Sequence, residues 1–231
     1  DERFHALVAR NIMEHPFQPM LLLNPVLPYD YTHWWSNYIW VHKQPLFMWQ
    51  MAMSMKIFGI SEFGFRLPSV LMGSLMILLT YRIAWLFSNQ HQRISILAAV
   101  MMTFSCFQIR SIAGIQTTDH NDIAHQFYTL CSLWAFAEYL RKPTIQWAFW
   151  VGCFAGAAIL NKWLTGLLVF LGWAFLVALL KECRTKKSLL HFIWALLICT
   201  LVFLPWQVYI HVAFPKEAAY ELAYNTQHLS K

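Results

Sequence analysis

Long apolar runs separated by short polar connections dominate residues 67–212 of the chain. A helix that spans a bilayer needs roughly 20 mostly apolar residues, and six segments approach or exceed that length. The six predicted spans are Leu67–Phe87, Ile94–Ala113, Ile123–Leu140, Thr144–Leu160, Trp163–Leu180 and Ser188–Val212. This pattern predicts an all-α polytopic membrane protein with a transmembrane domain at residues 67–212.

The first 66 residues contain no run of spanning length and instead predict two short helices on the membrane surface. The stretch ERFHALVARNIMEH spaces its apolar residues as an interfacial amphipathic helix does; these are Phe4, Leu7, Val8, Ile12 and Met13. A loop rich in Trp and Tyr follows, which is expected at the level of the lipid headgroups. The stretch PLFMWQMAMSMKIFG then predicts a second helix that ends at Gly59. Residues 1–66 are predicted to form a juxtamembrane domain on the outer face, and residues 213–231 the start of an outer loop.

Charge sets the predicted orientation. Hydrophobic residues make up 58% of the chain and charged residues only 12%, about half of what soluble domains carry. Lys and Arg concentrate in three short connections, Ser88–Arg93, Arg141–Pro143 and Lys181–Lys187, whereas the connections between them carry one such residue or none. The positive-inside rule places the basic connections in the cytoplasm. The net charge of +6 follows from this bias, so it does not indicate a nucleic-acid partner.

With this orientation, most acidic residues lie on the outer side of the membrane. Glu138 and Glu182 remain near the cytoplasm, and the acids predicted outside are Asp1, Glu2, Glu14, Asp30, Glu62, Asp119, Asp122, Glu217 and Glu221. One interpretation is that acids are tolerated wherever Lys and Arg are avoided. The other is that an acid at the mouth of a transmembrane helix serves function, because ionisable groups near bilayer depth are costly to place.

Several basic side chains also allow two interpretations. Lys43 follows the Trp-rich loop, where it either snorkels towards water or binds a phosphate group in a poorly hydrated setting. Arg66 is interpreted as a snorkelling residue with an acid or a phosphate as the alternative partner. Lys162 is a solitary loop residue with lipid headgroups as the alternative partner. His120 is expected to be an exposed loop residue, and His125 a packed one.

Five segments occur in an order that resembles a known family: DERFHALVAR, HKQPLFMWQMAMSMKIFGISEFGFRLPS, QTTDHNDIAHQFYTLCSLWAFAEY, GCFAGAAILNKWLTG and LPWQVYIHVAFPKEAAYE. Together they resemble the dolichyl-phosphate-mannose–protein mannosyltransferase-like family, which includes the aminoarabinose transferases that act on lipid A. The resemblance implies a GT-C type transmembrane helix bundle with interfacial helices on its outer face. Full-length members extend beyond both ends of the matched region, so the chain is expected to be a fragment of a longer protein.

The resemblance assigns two groups of residues in the juxtamembrane domain. The family has an acidic pair in its first outer loop, which matches Asp1 and Glu2. It also has a segment in which Glu or His precedes Lys-x-Pro, which matches His42, Lys43 and Pro45. By this resemblance Asp1 is the catalytic base, Glu2 binds substrate and Lys43 meets the phosphate of the donor.

The resemblance also implies a carboxylate at the outer mouth of a later helix, and a metal site. Asp122 or Asp119 matches the carboxylate. Asp122 is preferred because DIAHQFYTL keeps the family's spacing from the acid to the aromatic pair. Asn121, between His120 and Asp122, departs from the family pattern. Asp122 is expected to act in catalysis and Asp119 to bind substrate. His42 and His228 match residues that hold a divalent metal in aminoarabinose transferases, and the alternative is two unrelated histidines.

These residues suit the transfer of a sugar from a polyprenyl-phosphate donor. Nucleotide sugars are not expected outside the cytoplasm, and the sequence has no Gly-rich phosphate loop. A carboxylate would remove the proton of the acceptor hydroxyl, which contributes about 10²–10⁴-fold, and an ammonium group would stabilise the departing phosphate. A single carboxylate and a phosphate leaving group predict inversion at the anomeric carbon. The acceptor stays open among lipid, glycan and protein hydroxyls.

Two other functions stay open. A transporter would also have polytopic helices, but it should carry charges near mid-span and often internal repeats, and the sequence shows neither signal. A non-catalytic membrane subunit of the same fold would keep the helices without needing the acids. The predicted location is the bacterial inner membrane with a periplasmic active site, and the endoplasmic reticulum membrane is the alternative. Membrane lipids are expected partners in either case.

Overall fold

The computed structural model describes residues 2–26, 28–33, 38–115, 120–181 and 184–229, and only the backbone of residues 227–229. Within these ranges the fold is all-α, as predicted, and the only extended pairing is an isolated antiparallel bridge between Met20 and Ile39. The elements are α1 (Glu2–Ile12), α2 (Leu46–Phe58), α3 (Glu62–Phe87), α4 (Gln92–Thr103), α5 (Cys106–Ile112), α6 (His120–Arg141), α7 (Ile145–Lys162), a 3-10 helix (Trp163–Leu167), α8 (Leu168–Leu179), α9 (Lys186–Ala213) and α10 (Pro215–Leu229).

The helices form two compact units. Unit 1 contains residues 1–68 and 204–231, and unit 2 contains Ser69–Phe203. Both boundaries fall beside a proline inside a helix, Pro68 in α3 and Pro205 in α9, where the missing backbone N–H removes one intrahelical hydrogen bond. Residues 213–231, predicted as the start of a loop, belong to the same unit as the predicted juxtamembrane domain, and most of them form α10.

In unit 1, α1 packs against α2. Val8 and Ile12 are buried on α1, and the ring of His5 lies edge-on to Phe47 of α2 with centroids 5.0 Å apart. Leu7 is 43% exposed. The amphipathic helix is therefore present as predicted, but its buried face includes a histidine and leaves out one predicted apolar position.

The loop between α1 and α2 is held by polar contacts. Asn11 donates a hydrogen bond of 2.8 Å from its side-chain amide to the carbonyl of Met20, and the backbone N–H of Trp40 donates one of 2.7 Å to the carbonyl of Pro19. Trp40 is only 1% exposed, so this aromatic residue belongs to the core of unit 1. The position of the loop at the level of the lipid headgroups stays a prediction. α2 ends as predicted, because Gly59 has a φ of 87°, which glycine adopts without strain.

The centre of unit 2 is an aromatic cluster between α6 and α8. Trp173 lies 5.0 Å from Phe136 and 4.6 Å from Tyr139, measured between ring centroids. α6 also contacts α7, where the Ser132 hydroxyl donates a hydrogen bond of 3.0 Å to the carbonyl of Val151. Hydrogen bonds from small hydroxyls to a neighbouring helix backbone are a common link between membrane helices.

Gly152 and Gly156 allow α7 to approach α9 closely. A Cβ at Gly152 would overlap the backbone carbonyl of Ala195, and a Cβ at Gly156 would lie 2.8 Å from the carbonyl oxygen of Cys199. Small residues four positions apart permit this kind of backbone approach. Gly152 and Gly156 form a G-x-x-x-G motif in the sequence, which predicts close helix packing, and the structure confirms that packing.

Three described segments are long and apolar enough to cross a membrane: Glu62–Phe87, Ile145–Leu179 and Lys186–Ala213. α4 and α5 meet at an angle of 47° and form a fourth if they count as one broken span. α6 covers the predicted third span but is less apolar than these segments. The six predicted helical segments are thus all present as helices, and how many of them cross the membrane stays a prediction.

The segment Ile145–Leu179 is a hairpin of two helices. Trp163, after the end of α7, has a φ of 58°. A Cβ at Gly166 would lie 2.7 Å from the backbone nitrogen of Ile159, whereas residues seven positions apart in a straight helix are separated by about 10 Å. The chain therefore reverses direction between α7 and α8, as the two separate predicted spans require.

The helix ends of unit 2 gather into two groups. At one end Ser69 of α3 contacts His120 of α6, and at the other Arg82 of α3 contacts Glu138 of α6. The guanidinium of Arg184 donates to the last carbonyls of α8 near the second group, a common way to satisfy a helix C-terminus. We name the first group the Asp122 end, after the acid in the first turn of α6, and the second the Glu138 end.

Candidate functional site

Lys43 lies on a segment of unit 1 that two distant helices hold in place. His42 Nδ1 is 3.0 Å from Oε2 of Glu221 in α10, and Gln44 Oε1 accepts a hydrogen bond of 2.7 Å from Nε2 of Gln207 in α9. These partners are 179 and 163 positions away along the chain. Lys43 is half-buried between the two anchored residues. Such anchoring suits a residue that must meet a phosphate at a defined position.

Glu2 and Arg66 form a two-point ion pair in unit 1. Arg66 Nε donates to Glu2 Oε1 at 2.9 Å, and Arg66 Nη2 donates to Glu2 Oε2 at 3.3 Å. Arg66 Nη1 also lies 2.5 Å from Oε1 of Glu62. Pairs of this bidentate form are among the stronger polar contacts. Arg66 therefore has acids as its partners, and Glu2 is engaged with the protein. Asp1, the predicted base, lies outside the described residues.

Asp122 and Lys162 form an ion pair at the Asp122 end of unit 2. Lys162 Nζ lies 2.6 Å from Asp122 Oδ1, and the side chains are 21% exposed for Asp122 and 51% for Lys162. Asp122 stands in the first turn of α6 and Lys162 in the last turn of α7, where the partial charges of the helix termini favour an acid and a base respectively. Lys162 thus holds the predicted catalytic carboxylate at a partly accessible helix mouth.

Two histidines near Asp122 in α6 contact other helices, and one of them is fully buried. His120 is 2% exposed, and its Nδ1 shares a hydrogen bond of 2.9 Å with the Ser69 hydroxyl. The expectation that His120 is an exposed loop residue is wrong, because α6 begins at this residue and places its first turn inside the unit. His125, one turn after Asn121, has its Nδ1 3.3 Å from the carbonyl of Ala158, so the prediction that it is packed is confirmed.

Asn121 and Asn161 were not predicted as functional residues, and their sequence context gives no signal of burial. Each is 1% exposed, and the side-chain oxygen of each has no hydrogen-bond partner in the described part of the chain. They flank the ion pair, since Asn121 precedes Asp122 and Asn161 precedes Lys162. A buried acceptor of this kind calls for a donor beyond the described residues, such as a water or a ligand hydroxyl.

Asp30, one of the predicted outer acids, is used by its own turn. The hydroxyl and the backbone N–H of Thr32 donate to Asp30 Oδ1 at 2.7 Å and 2.9 Å, and His33 Nδ1 lies 2.8 Å from Oδ2. The hydrogen bond from the Thr32 hydroxyl, followed by those from the Thr32 backbone and His33, lowers the pKa of Asp30 to about 2. Asp30 is therefore a half-exposed acid with a local role.

The metal site implied by the resemblance stays a prediction. Across the described ranges, no group of three or more His, Cys, Asp or Glu residues could hold a metal ion. His42 contacts Glu221, and the side chain of His228 lies outside the described residues, as does all of Asp119. No chemical step is assigned to a metal on this geometry.

Glu2 and Lys43 belong to unit 1, and Asp122 and Lys162 belong to unit 2. Each group is built within its own unit. Contacts from α9, α10 and the start of α3 hold the unit 1 residues, and the antiparallel ends of α6 and α7 bring Asp122 and Lys162 together. The proposal from the sequence that Asp1, Lys43 and Asp122 serve one reaction stays a prediction.

Comparison with known proteins gives one family and several relatives. The sequence model of the family described as dolichyl-phosphate-mannose-protein mannosyltransferase matches residues 42–209. Undecaprenyl phosphate-alpha-4-amino-4-deoxy-L-arabinose arabinosyl transferase 2 of Pseudomonas fluorescens (strain Pf0-1) is 28% identical over 169 residues, which are 71% of this chain and 29% of that protein. An uncharacterized protein of Aquifex aeolicus (strain VF5) is 23% identical over 202 residues, or 87% of this chain and 37% of that protein. The chain spans about a third of the length of these curated relatives.

Among solved structures, the crystal structure of ArnT from Cupriavidus metallidurans in the apo state shares the fold. The two structures superpose with a TM-score of 0.69 at 18% sequence identity, over 94% of this chain and 38% of that chain. Together with the apolar helices, this similarity confirms the predicted GT-C type helix bundle and the assignment as an integral membrane protein.

Proposed function

Because the chain belongs to the dolichyl-phosphate-mannose-protein mannosyltransferase family, we propose that it carries part of the active site of a membrane glycosyltransferase. The observation that carries this proposal is the extent of the family match, which runs from residue 42 to residue 209. That range contains Lys43, Asp122 and Lys162, so it includes both polar groups that the two units build.

The proposed donor is a sugar linked to a polyprenyl phosphate. Two relatives from Pseudomonas fluorescens, transferases 1 and 2, are named as arabinosyl transferases for an undecaprenyl-phosphate-linked aminoarabinose, which supports a lipid-linked donor. The proposed acceptor is a hydroxyl group on a membrane lipid, and a glycan or protein hydroxyl is the alternative. A donor carried by the lipid phase matches a protein made largely of apolar helices.

The proposed reaction is a single displacement at the anomeric carbon. The acceptor oxygen forms a bond to that carbon, its proton passes to the carboxylate of Asp1, and the bond from the carbon to the phosphate oxygen breaks with its electron pair. Polyprenyl phosphate leaves, and the anomeric configuration inverts. Lys43 stabilises the charge that develops on the phosphate, and the contacts of His42 and Gln44 support this role because they fix its backbone.

Asp122 is proposed to hold the sugar or the acceptor at the helix mouth, with a share in proton transfer as the alternative. The ion pair with Lys162 supports the holding role, because the ammonium orients one carboxylate oxygen at 2.6 Å and leaves the other able to accept a hydrogen bond. The side-chain oxygens of Asn121 and Asn161 are proposed to accept hydrogen bonds from sugar hydroxyls or from ordered water. Within unit 1, Glu2 is proposed to fix the start of α1 through Arg66, directly after Asp1 in the sequence.

The proposed location is the bacterial inner membrane, with Lys43 and Asp122 on the periplasmic face. The alternation of basic and non-basic connections supports this orientation. A basic connection and a non-basic connection lie at opposite ends of unit 2. The basic one begins at Arg141, the end of α6, and the other includes Lys162, the end of the antiparallel α7.

The decisive test is Asp122→Asn in the full-length protein. We expect the transfer of sugar from a polyprenyl-phosphate donor to lipid acceptors to fall at least about 100-fold, which is the lower limit for a group that acts on a proton or orients the reacting atoms. The measurement is the mass shift of the acceptor in membranes that contain equal amounts of each variant. Asp30→Asn is the matched control, since Asp30 is an acid bound in its own turn, and it should keep transfer within about twofold.

Unchanged transfer in Asp122→Asn would contradict the catalytic proposal and favour a non-catalytic subunit of the same fold. Movement of the lipid-linked sugar across the membrane without transfer to any acceptor would favour the transporter alternative. Equal loss in Asp122→Asn and Asp30→Asn would point to a general effect of charge on the outer face and would also count against the assigned role.

A further inference from the structure

A cavity of about 410 Å³ opens at the Glu138 end of unit 2, the end opposite to Asp122. It lies between the end of α3, the turn that follows and the end of α6. Apolar and polar side chains line it in nearly equal number: Leu86, Phe87, Ala137 and Leu140, with Asn89, Gln90 and Arg141. A lining of this mixed kind suits an amphiphile better than a purely polar or purely apolar ligand.

The charge around this cavity is positive and poorly compensated. Arg141 is exposed and forms no ion pair with any described residue, and the lining contains no acid. The nearest acid in α6, Glu138, already accepts hydrogen bonds from Arg82 at 2.6 Å and from the Trp134 indole at 3.2 Å. Lys142 follows directly. An uncompensated cation beside apolar surface attracts a negatively charged group.

The turn after α3 brings amide groups to the same cavity. Asn89 and Gln90 have φ values of 53° and 68°, and the backbone N–H of Gln90 donates a hydrogen bond of 2.9 Å to the carbonyl of Trp85. This bond spans five residues and closes the end of α3 in the manner of a Schellman motif. Two successive non-glycine residues in the left-handed conformation are uncommon. Here they place the side-chain amides of Asn89 and Gln90 in the lining of the cavity.

We infer that this cavity binds one anionic phospholipid, with the headgroup phosphate at Arg141 and the amides of Asn89 and Gln90, and an acyl chain along Leu86 and Leu140. Charge complementarity favours this occupant, because basic pockets between membrane helices bind anionic headgroups. A zwitterionic lipid would bring a second cation next to Lys142 and Arg141. The inference is independent of the proposed glycosyl transfer, since it concerns the end of unit 2 that lacks Asp122.

Native mass spectrometry of the full-length protein in mild detergent tests this inference. The probes are phosphatidylglycerol and phosphatidylcholine with the same acyl chains, each titrated against the wild-type protein, Arg141→Gln and Arg93→Gln. We expect the wild-type protein to bind one phosphatidylglycerol in preference to phosphatidylcholine, and Arg141→Gln to weaken that binding about fivefold, the effect of one basic residue at a lipid surface. Arg93→Gln removes an equal charge at the same end of unit 2 but outside the lining, so it should retain the preference.

Three results would overturn the inference: equal losses in Arg93→Gln and Arg141→Gln, equal binding of the two lipids by the wild-type protein, or displacement of phosphatidylglycerol by millimolar inorganic phosphate. If Arg141→Gln fails to fold, Gln90→Ala decides the question, because it removes an amide donor and no charge. Weaker phosphatidylglycerol binding in Gln90→Ala supports the site, and unchanged binding contradicts it.

Discussion

The two ends of α6 carry ion pairs of the same chemistry in different surroundings. At the Glu138 end, the carboxylate is 10% exposed and is contacted by both Arg82 and the Trp134 indole. At the Asp122 end, the carboxylate is 21% exposed and is contacted by Lys162, which is itself 51% exposed. Glu138 is nearly enclosed and has two donors, whereas Asp122 stands at a helix mouth with a half-exposed partner.

This difference indicates a division of roles. A nearly buried carboxylate with two donors is costly to replace, because the hydrogen bonds that its charge strengthens are weakened or lost. A partly exposed pair contributes little to stability, so the proposed exchange of the Lys162 contact for a contact with substrate would cost little free energy. The comparison predicts that changes at the Glu138 end affect folding and that changes at the Asp122 end affect activity.

The largest expected effect on stability is that of Glu138→Gln. We expect the free energy of unfolding to fall by about 3 kcal/mol, the lower end of the range for a broken buried pair, because Arg82 is 41% exposed and can reach water. Denaturant titration of the full-length protein in detergent measures this. Arg82→Gln combined with Glu138→Gln should recover part of the loss, and additive losses would contradict the coupling.

The next largest expected effect on stability comes from a steric change where α7 packs against α9. Gly152→Ala should lower the free energy of unfolding by about 1–3 kcal/mol, because the added methyl group would overlap the backbone of α9 and force the helices apart. Gly172→Ala is the matched control, since no atom lies within 4 Å of a Cβ at that position. It should leave stability equal or raise it by up to about 1 kcal/mol through helix propensity. Equal effects in both variants would mean that α7 and α9 are not in close contact.

The smallest of these free-energy effects concerns Lys162. Lys162→Met should lower sugar transfer about tenfold, which corresponds to about 1.4 kcal/mol in the activation barrier, because Asp122 loses the group that orients it. Unfolding free energy should change by less than about 1 kcal/mol. Lys162→Arg should restore much of the activity. A loss of stability as large as that of Glu138→Gln would show that the two ends do not differ in role.

Several features of the fold could be predicted because they depend on neighbouring residues. The apolar runs give the helices of unit 2, Gly59 ends α2, and the pair Gly152 and Gly156 gives a close helix contact. Each of these follows from local conformational preference or from the spacing of side chains on one helix, which the order of residues fixes directly.

The candidate site could be predicted only in part. Lys43 and Asp122 follow from family motifs. The ion-pair partners of Glu2 and Asp122 do not: for Arg66 an acid was only the alternative to snorkelling, and Lys162 was expected to be solitary. The sequence marks Asn121 only as a departure from the family pattern, and it gives no signal for Asn161. Whether such residues are buried or paired depends on which helix lies opposite, and one sequence gives no direct sign of that.

The sequence by itself determined that the chain is an apolar helical protein, because spanning length, alternating charge and turn residues are properties of short stretches. Only the tertiary structure decided which polar groups meet. Lys162 reaches Asp122 from 40 positions away and Glu221 reaches His42 from 179, since antiparallel packing sets those distances. Contacts between residues far apart in the chain depend on how whole helices pack, and that packing is set by the summed contacts of many side chains.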